Sequence, residues 1–212
     1  MSKIKLTKGE LKRQRDSLKQ FEHYLPTLQL KKQQLQMKIL ESRQRIEALE
    51  AGIRRKESVL QAWVGLLADP LLQDVRPPFD LQAFLVPRQV ITTQVNIAGA
   101  NIPVFRDIVF SEAEYDLYAT PLWVDEAVAR LREIVTLLAE INVIRRQIEI
   151  LQHELRITTQ RVNLFEKVKI PECRDNIRVI RIYLGDQQAN AVGIGKVAKK
   201  KIAESALVGS PA

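Results

Sequence analysis

Cysteine is nearly absent from this chain of 212 residues. Cys173 stands alone, which excludes an internal disulfide framework and any zinc site built from several thiolates, and it fits a reducing compartment. Aromatic residues make up only 6% and glycines number eight, thin material for the core and tight loops of a compact enzyme. The two histidines, His23 and His153, share no metal-ligand spacing with each other or with Cys173, so solvated positions on helix faces are expected for them. No apolar run approaches the ~20 residues of a membrane span. Residues 1–11 alternate lysine with apolar residues and lack the apolar block of a signal peptide. The expected setting is cytoplasmic, with any membrane association made through partners.

Catalytic constellations are missing too. The one candidate for a phosphate-cradling loop runs from Gly193 through Gly195, Lys196 and Val197. It lacks a glycine where Asn190 stands and a Ser or Thr where Val197 stands, and no strand precedes it, so nucleotide binding by this chain is not expected. Cys173 has Arg174 beside it, which could lower its pKa, but a nucleophile also needs a positioned base and an orienting group, and nothing supplies them. Carboxylates such as Glu47 and Glu50 fall at ordinary helix-surface spacing among Lys and Arg, as on a solvated, salt-bridged face. Neither a cofactor, nor a metal, nor catalytic residues are expected.

What the chain does have is charge and period. Its 33 Lys and Arg against 25 Asp and Glu give a formal net charge of +8, which attracts polyanions or an acidic protein partner. The positive excess is dense at the N-terminus, where Lys3, Lys5, Lys8, Lys12, Arg13, Arg15 and Lys19 outnumber Glu10 and Asp16. A heptad position reads Leu11, Leu18, Leu25, Lys32, Ile39, Ile46, Ile53, Leu60; three residues later it reads Gln14, Phe21, Leu28, Leu35, Ser42, Leu49, Lys56, Trp63. A second run reads Ala127, Ile134, Ile141, Ile148, Leu155, Val162, with Leu137, Ile144, Leu151, Thr158 and Phe165 at the companion position. Seven-residue spacing keeps a stripe facing one partner helix only under left-handed supercoiling, so each run needs a helix to pack against.

The segment between the runs has another character. Five of the nine prolines lie between Pro70 and Pro103, and the helical period disappears there. Residues 89–97 and 102–110, rich in Val, Ile and Thr, read as two strands around the turn Ala98-Gly99-Ala100-Asn101. Ser111 and Glu114 have the spacing of a short helix start before Pro121. Pro26 and Pro171 fall inside the periodic runs and predict bends. The expected fold is mainly α: a long antiparallel two-helix coiled coil with a small inserted β-hairpin. Its parts are an N-terminal helix over 1–68, an insertion over 69–121 at the far end of the rod, a C-terminal helix over 122–190, and a basic, disordered tail over 191–212.

Residues 156–184, RITTQRVNLFEKVKIPECRDNIRVIRIYL, resemble the signature near the C-terminus of the central-stalk D-subunit family of V/A-type rotary ATPases, in which a Thr-x-Arg-Arg-Val-Asn-Ala-Leu-Glu element precedes Ile-Pro. Thr159, Arg161, Val162, Asn163, Glu166, Ile170 and Pro171 match it; Gln160 and the pair Leu164-Phe165 depart from it. The N-terminal stretch LTKGELKRQRDSLKQFEHYLPTLQLKKQQL is similar to the family's opening. The resemblance implies a non-catalytic rotor shaft that couples ATP chemistry to ion translocation. It implies partners in the catalytic A and nucleotide-binding B subunits of a ring, the F subunit of the stalk, and a funnel-shaped adaptor to the membrane rotor. The motif residues and the basic tip Lys3, Lys5, Lys8, Lys12 and Arg13 are the candidate partner contacts. The competing readings are the stalk of a type III secretion ATPase, in which this hairpin is not expected, and a basic coiled-coil adaptor for nucleic acid, for which no binding motif and few aromatics are present.

Overall fold

The computed structural model describes residues 4–61, 65, 84–111 and 123–208. Three long helical elements and one hairpin make up the described chain: α1 (Lys8–Gln61), β1 (Pro87–Ile97), β2 (Ala100–Phe110), α2 (Trp123–Leu164), a π-turn (Phe165–Lys169) and α3 (Ile170–Val208). They divide into two compact units, one of Met1–Leu30 with Thr158–Ala212, the other of Lys31–Ile157. Of the expected helix start, Ser111 is described and is not helical, while Glu114 and the seam position Trp63 lie outside the described residues.

In the unit spanning Lys31–Ile157, α1 and α2 run antiparallel. Lys31 pairs with Glu154, Arg45 with Glu140 and Lys56 with Glu133, so partners descend along α2 as they ascend along α1. These exposed or half-exposed pairs fix register more than they stabilise, being worth ~0.2–1 kcal/mol each. Burial supplies the stability: Leu49 and Ile53 of α1 pack with Ile134, Ile141 and Ile144 of α2, the residues that the heptad rows place on the seam. Ser42, a polar interruption of the row, is buried where the hairpin comes down.

The hairpin turns through Ala98 and Gly99, with φ of 49° and 80°. Positive φ at both central residues is the two-residue turn whose twist matches the flanking strands, and Gly99 adopts it without steric cost. The Asn96 side-chain carbonyl accepts from the Gly99 N–H and its amide donates to Asn101, bracing the turn. The hairpin packs against its own helix pair, whereas the sequence reading places the insertion at the end of the rod. Ala100 and Ile102 are buried with Leu35, Ile39 and Leu151, so β2 lies along the flank of the two helices, while Arg132 holds the root through the carbonyls of Phe84 and Ser111. Pro103 faces Gln94 across the strand pair, a position whose backbone groups point outward. A proline there forfeits no ladder bond, and its outward carbonyl accepts from the buried Gln147 amide at 2.6 Å.

In the unit built from both chain ends, α1 begins at an N-cap: Thr7 Oγ1 accepts from the Glu10 N–H, and the acidic Glu10 occupies the first turn. Pro26 lies within α1 without ending it, its missing donor falling on an exposed position. Phe21 meets Phe165 with ring centroids 5.0 Å apart, Arg174 donates to Glu22 at 2.8 Å, and Asn176 reaches Gln14 at 3.4 Å, the same antiparallel sense. The expected disordered tail is instead helix: α3 continues to Val208. Residues 191–208 are rich in Ala and Lys and contain no proline, so helical propensity outweighs the ~1 kcal/mol that each of Gly193 and Gly195 subtracts.

Candidate functional site

Two regions hold the residues that the sequence singles out. The first is the basic end of the unit formed by the termini. That unit carries 17 Lys and Arg against 8 Asp and Glu, whereas residues 31–157 carry 16 against 17, so the whole positive excess belongs to one unit. Lys5, Lys8, Lys12 and Arg13 are exposed; Lys3 lies outside the described residues. Helix α3 adds Arg174 and Arg181, which the sequence reading missed because they become neighbours of Arg15 and Lys19 only once the helices pair. A shallow groove between α1 and α3 is lined by Arg15, Leu18, Lys19, Glu22, Arg174, Ile177 and Arg181. Four cations against one carboxylate, with Arg174 already bonded to that carboxylate, suit acidic side chains of a partner. Beyond Leu184 every residue of α3 through Glu204 is exposed, including Val192, Ile194, Val197 and Ile202, and Gly193 and Gly195 sit inside this helix, not in a phosphate loop.

The second region is the motif around the π-turn. Val162 and Ile170 are buried, Thr159 is half-buried, and Arg161, Asn163, Glu166 and Pro171 are exposed. The motif therefore splits into seam residues and surface residues. Cys173, next to it, is buried; burial pushes its thiol pKa up and neighbouring Glu172 pushes the same way, with Lys169 opposing. Arg174, which the sequence suggests could lower it, pairs with Glu22. His23 and His153 are both exposed, His23 lying edge-on to Tyr24. Among the described residues no cluster of His, Cys, Asp and Glu could hold a metal ion, and no helix is long and apolar enough to cross a membrane.

Two antiparallel helix pairs, one flanked by a hairpin and the other strongly basic, are built from a sequence that the ATP synthase D-subunit family matches over residues 10–200. The chain belongs to that family. It is 44% identical over 204 residues to the V-type ATP synthase D subunit of Borreliella burgdorferi, covering 95% of this chain and 96% of that one. The D subunits of Chlamydia caviae and Chlamydia trachomatis serovar L2 are 38% and 34% identical, covering 95% of this chain and 94% and 97% of theirs. The D-subunit resemblance read from the Val162–Pro171 motif is thus matched along nearly the whole chain.

Proposed function

We propose that this chain is the central rotor shaft of a V/A-type rotary ATPase or ATP synthase, a non-catalytic subunit coupling ATP chemistry in a ring to ion translocation through a membrane rotor. Membership of the D-subunit family carries the reading. The polarised charge and the exposure of α3 from Gly185 to Glu204 support its orientation: the basic unit, with this stretch of α3, enters the bore of a ring of A and B subunits. The unit that carries the hairpin faces the membrane rotor through an adaptor, and the F subunit binds along the shaft. An asymmetric shaft biases each catalytic interface through contacts that differ with its angle, since a rotor shifts a conformational equilibrium only by its differential interactions. The complex sits on the cytoplasmic face of its membrane.

Truncation before Val192, or reversal of Lys3, Lys5, Lys8 and Lys12 to Glu, tests this. The residues removed or altered are exposed or outside the described set, so the chain keeps its fold, while ATP-driven ion pumping by the reconstituted complex falls. Unchanged assembly and coupling would refute the assignment of this end to the ring.

A further inference from the structure

The motif from Val162 to Pro171 does something that neither charge nor family membership explains. Along α2 the seam follows the seven-residue rule, through Ile141, Ile148, Leu155 and Val162 in one row and Ile144, Leu151, Thr158 and Phe165 in the other. Continued without interruption, the rows would next reach Lys169 and Asn176, and Glu172 and Val179. Burial falls one residue later instead, on Ile170 and Ile177 and on Cys173 and Ile180, while Val179 is 52% exposed. Uninterrupted α-winding would carry the apolar stripe of α3 about 100° away from α1, one residue's rotation. The π-turn absorbs the surplus residue, its wider loop closed by the Ile170 N–H donating to the Phe165 carbonyl.

We infer that the Val162–Pro171 motif encodes a one-residue skip that keeps the seam of α3 on α1, and that the π-turn housing the skip is the torsionally soft joint of the shaft. The second clause rests on the rotor reading above. Pro171 fixes the place. It has no N–H to give the Lys167 carbonyl, and in an α-helix its ring presses on that carbonyl, so regular winding is already compromised here and a wider turn loses least. The outer side is uncluttered: Leu164 and Val168 are 44% and 48% exposed. The ion pair at the turn, Lys169 with Glu172, is local to it. Between Phe165 and Arg174, no ion pair or side-chain hydrogen bond among the described residues ties this stretch to α1. Twist applied to the shaft therefore meets apolar packing alone at this level.

Three variants of the full chain test the skip: deletion of Val168, Pro171→Ala, and both together. The double variant restores seven-residue spacing from Val162 to Ile170 and from Phe165 to Cys173, and removes the ring from what becomes an unbroken α-helix. Its melting temperature rises by about 5 °C, the order expected for one relieved helix break in a chain of this size. Pro171→Ala alone changes little because the surplus residue must still be absorbed. Deletion of Val168 alone lowers the melting temperature because Pro171 then stands in a helix interior, so the two changes are strongly non-additive. A double variant that melts below the parent, as one with Arg178 deleted should, overturns the skip. The soft joint is tested in the assembled complex with the ring immobilised and a bead on the shaft: the angular spread without nucleotide narrows in the double variant. An unchanged spread overturns the joint while leaving the skip to the melting data, and a parent chain that never assembles refutes the rotor reading instead.

Discussion

Leu151 is the residue whose loss should be felt most, because three elements close over it. It is 0% exposed in α2 and packs with Leu35 and Ile39 of α1 and with Ala100 and Ile102 of the hairpin. Leu151→Ala removes three buried carbons, about 2.4 kcal/mol of transfer free energy at ~0.8 kcal/mol per carbon. A cavity enclosed on three sides collapses poorly, so the total reaches roughly 3–4 kcal/mol. Ile134→Ala removes the same number of carbons from a seam residue that is 8% exposed, in a cluster formed by the two helices alone. Its neighbours can close on the gap and water already reaches its edge, which keeps the loss near ~2–2.5 kcal/mol. Equilibrium urea unfolding of the full chain, followed by far-ultraviolet circular dichroism, reads the difference as unequal midpoint shifts at a common slope. If Leu151→Ala is no more damaging than Ile134→Ala, the hairpin does not form part of the core.

Gln147→Ala leaves the Pro103 carbonyl without its donor and should cost about 1–3 kcal/mol; amide exchange over residues 100–104 then quickens, and unchanged exchange would show that the latch is idle. The Lys56 ammonium, by hydrogen bond and by charge, holds the Glu133 carboxyl below its ordinary value. A depressed folded pKa means stability that is present above the unfolded value and lost as pH falls through the folded one, so Lys56→Met removes part of the acid limb of the stability profile. The effect is small and salt-sensitive at this surface site, and a nuclear magnetic resonance titration of Glu133 with an ordinary midpoint would disprove it. Burial raises the Cys173 thiol pKa, so maleimide labelling at neutral pH is slow in the native chain and fast in urea. Equal rates would place the thiol at the surface.

The seam was legible because a heptad is a physical requirement on the sequence: every described position of the first two rows, from Leu11 to Leu60, is buried or half-buried. The hairpin was legible from its β-branched runs and from Gly99, and each strand proved two residues longer at one end. Its docking was not, because Leu35, Ile39 and Leu151 already had a helix–helix role and nothing local marks a third neighbour. Gln147 carried a signal in retrospect, a polar residue bordering an apolar stripe. The helical state of residues 191–208 was obscured by Gly193 and Gly195. The one-residue phase change after Val162 was present in the spacing of Ile170, Cys173, Ile177 and Ile180, which lies beyond the last positions of the two heptad rows.

The most direct measurement is of rotation. With the ring of the reconstituted complex held to a surface and a probe attached at the exposed Gln89 of the hairpin, added ATP should drive the probe round in one direction in regular steps. A probe that stays fixed while ATP is hydrolysed would contradict the assignment of this chain as the shaft.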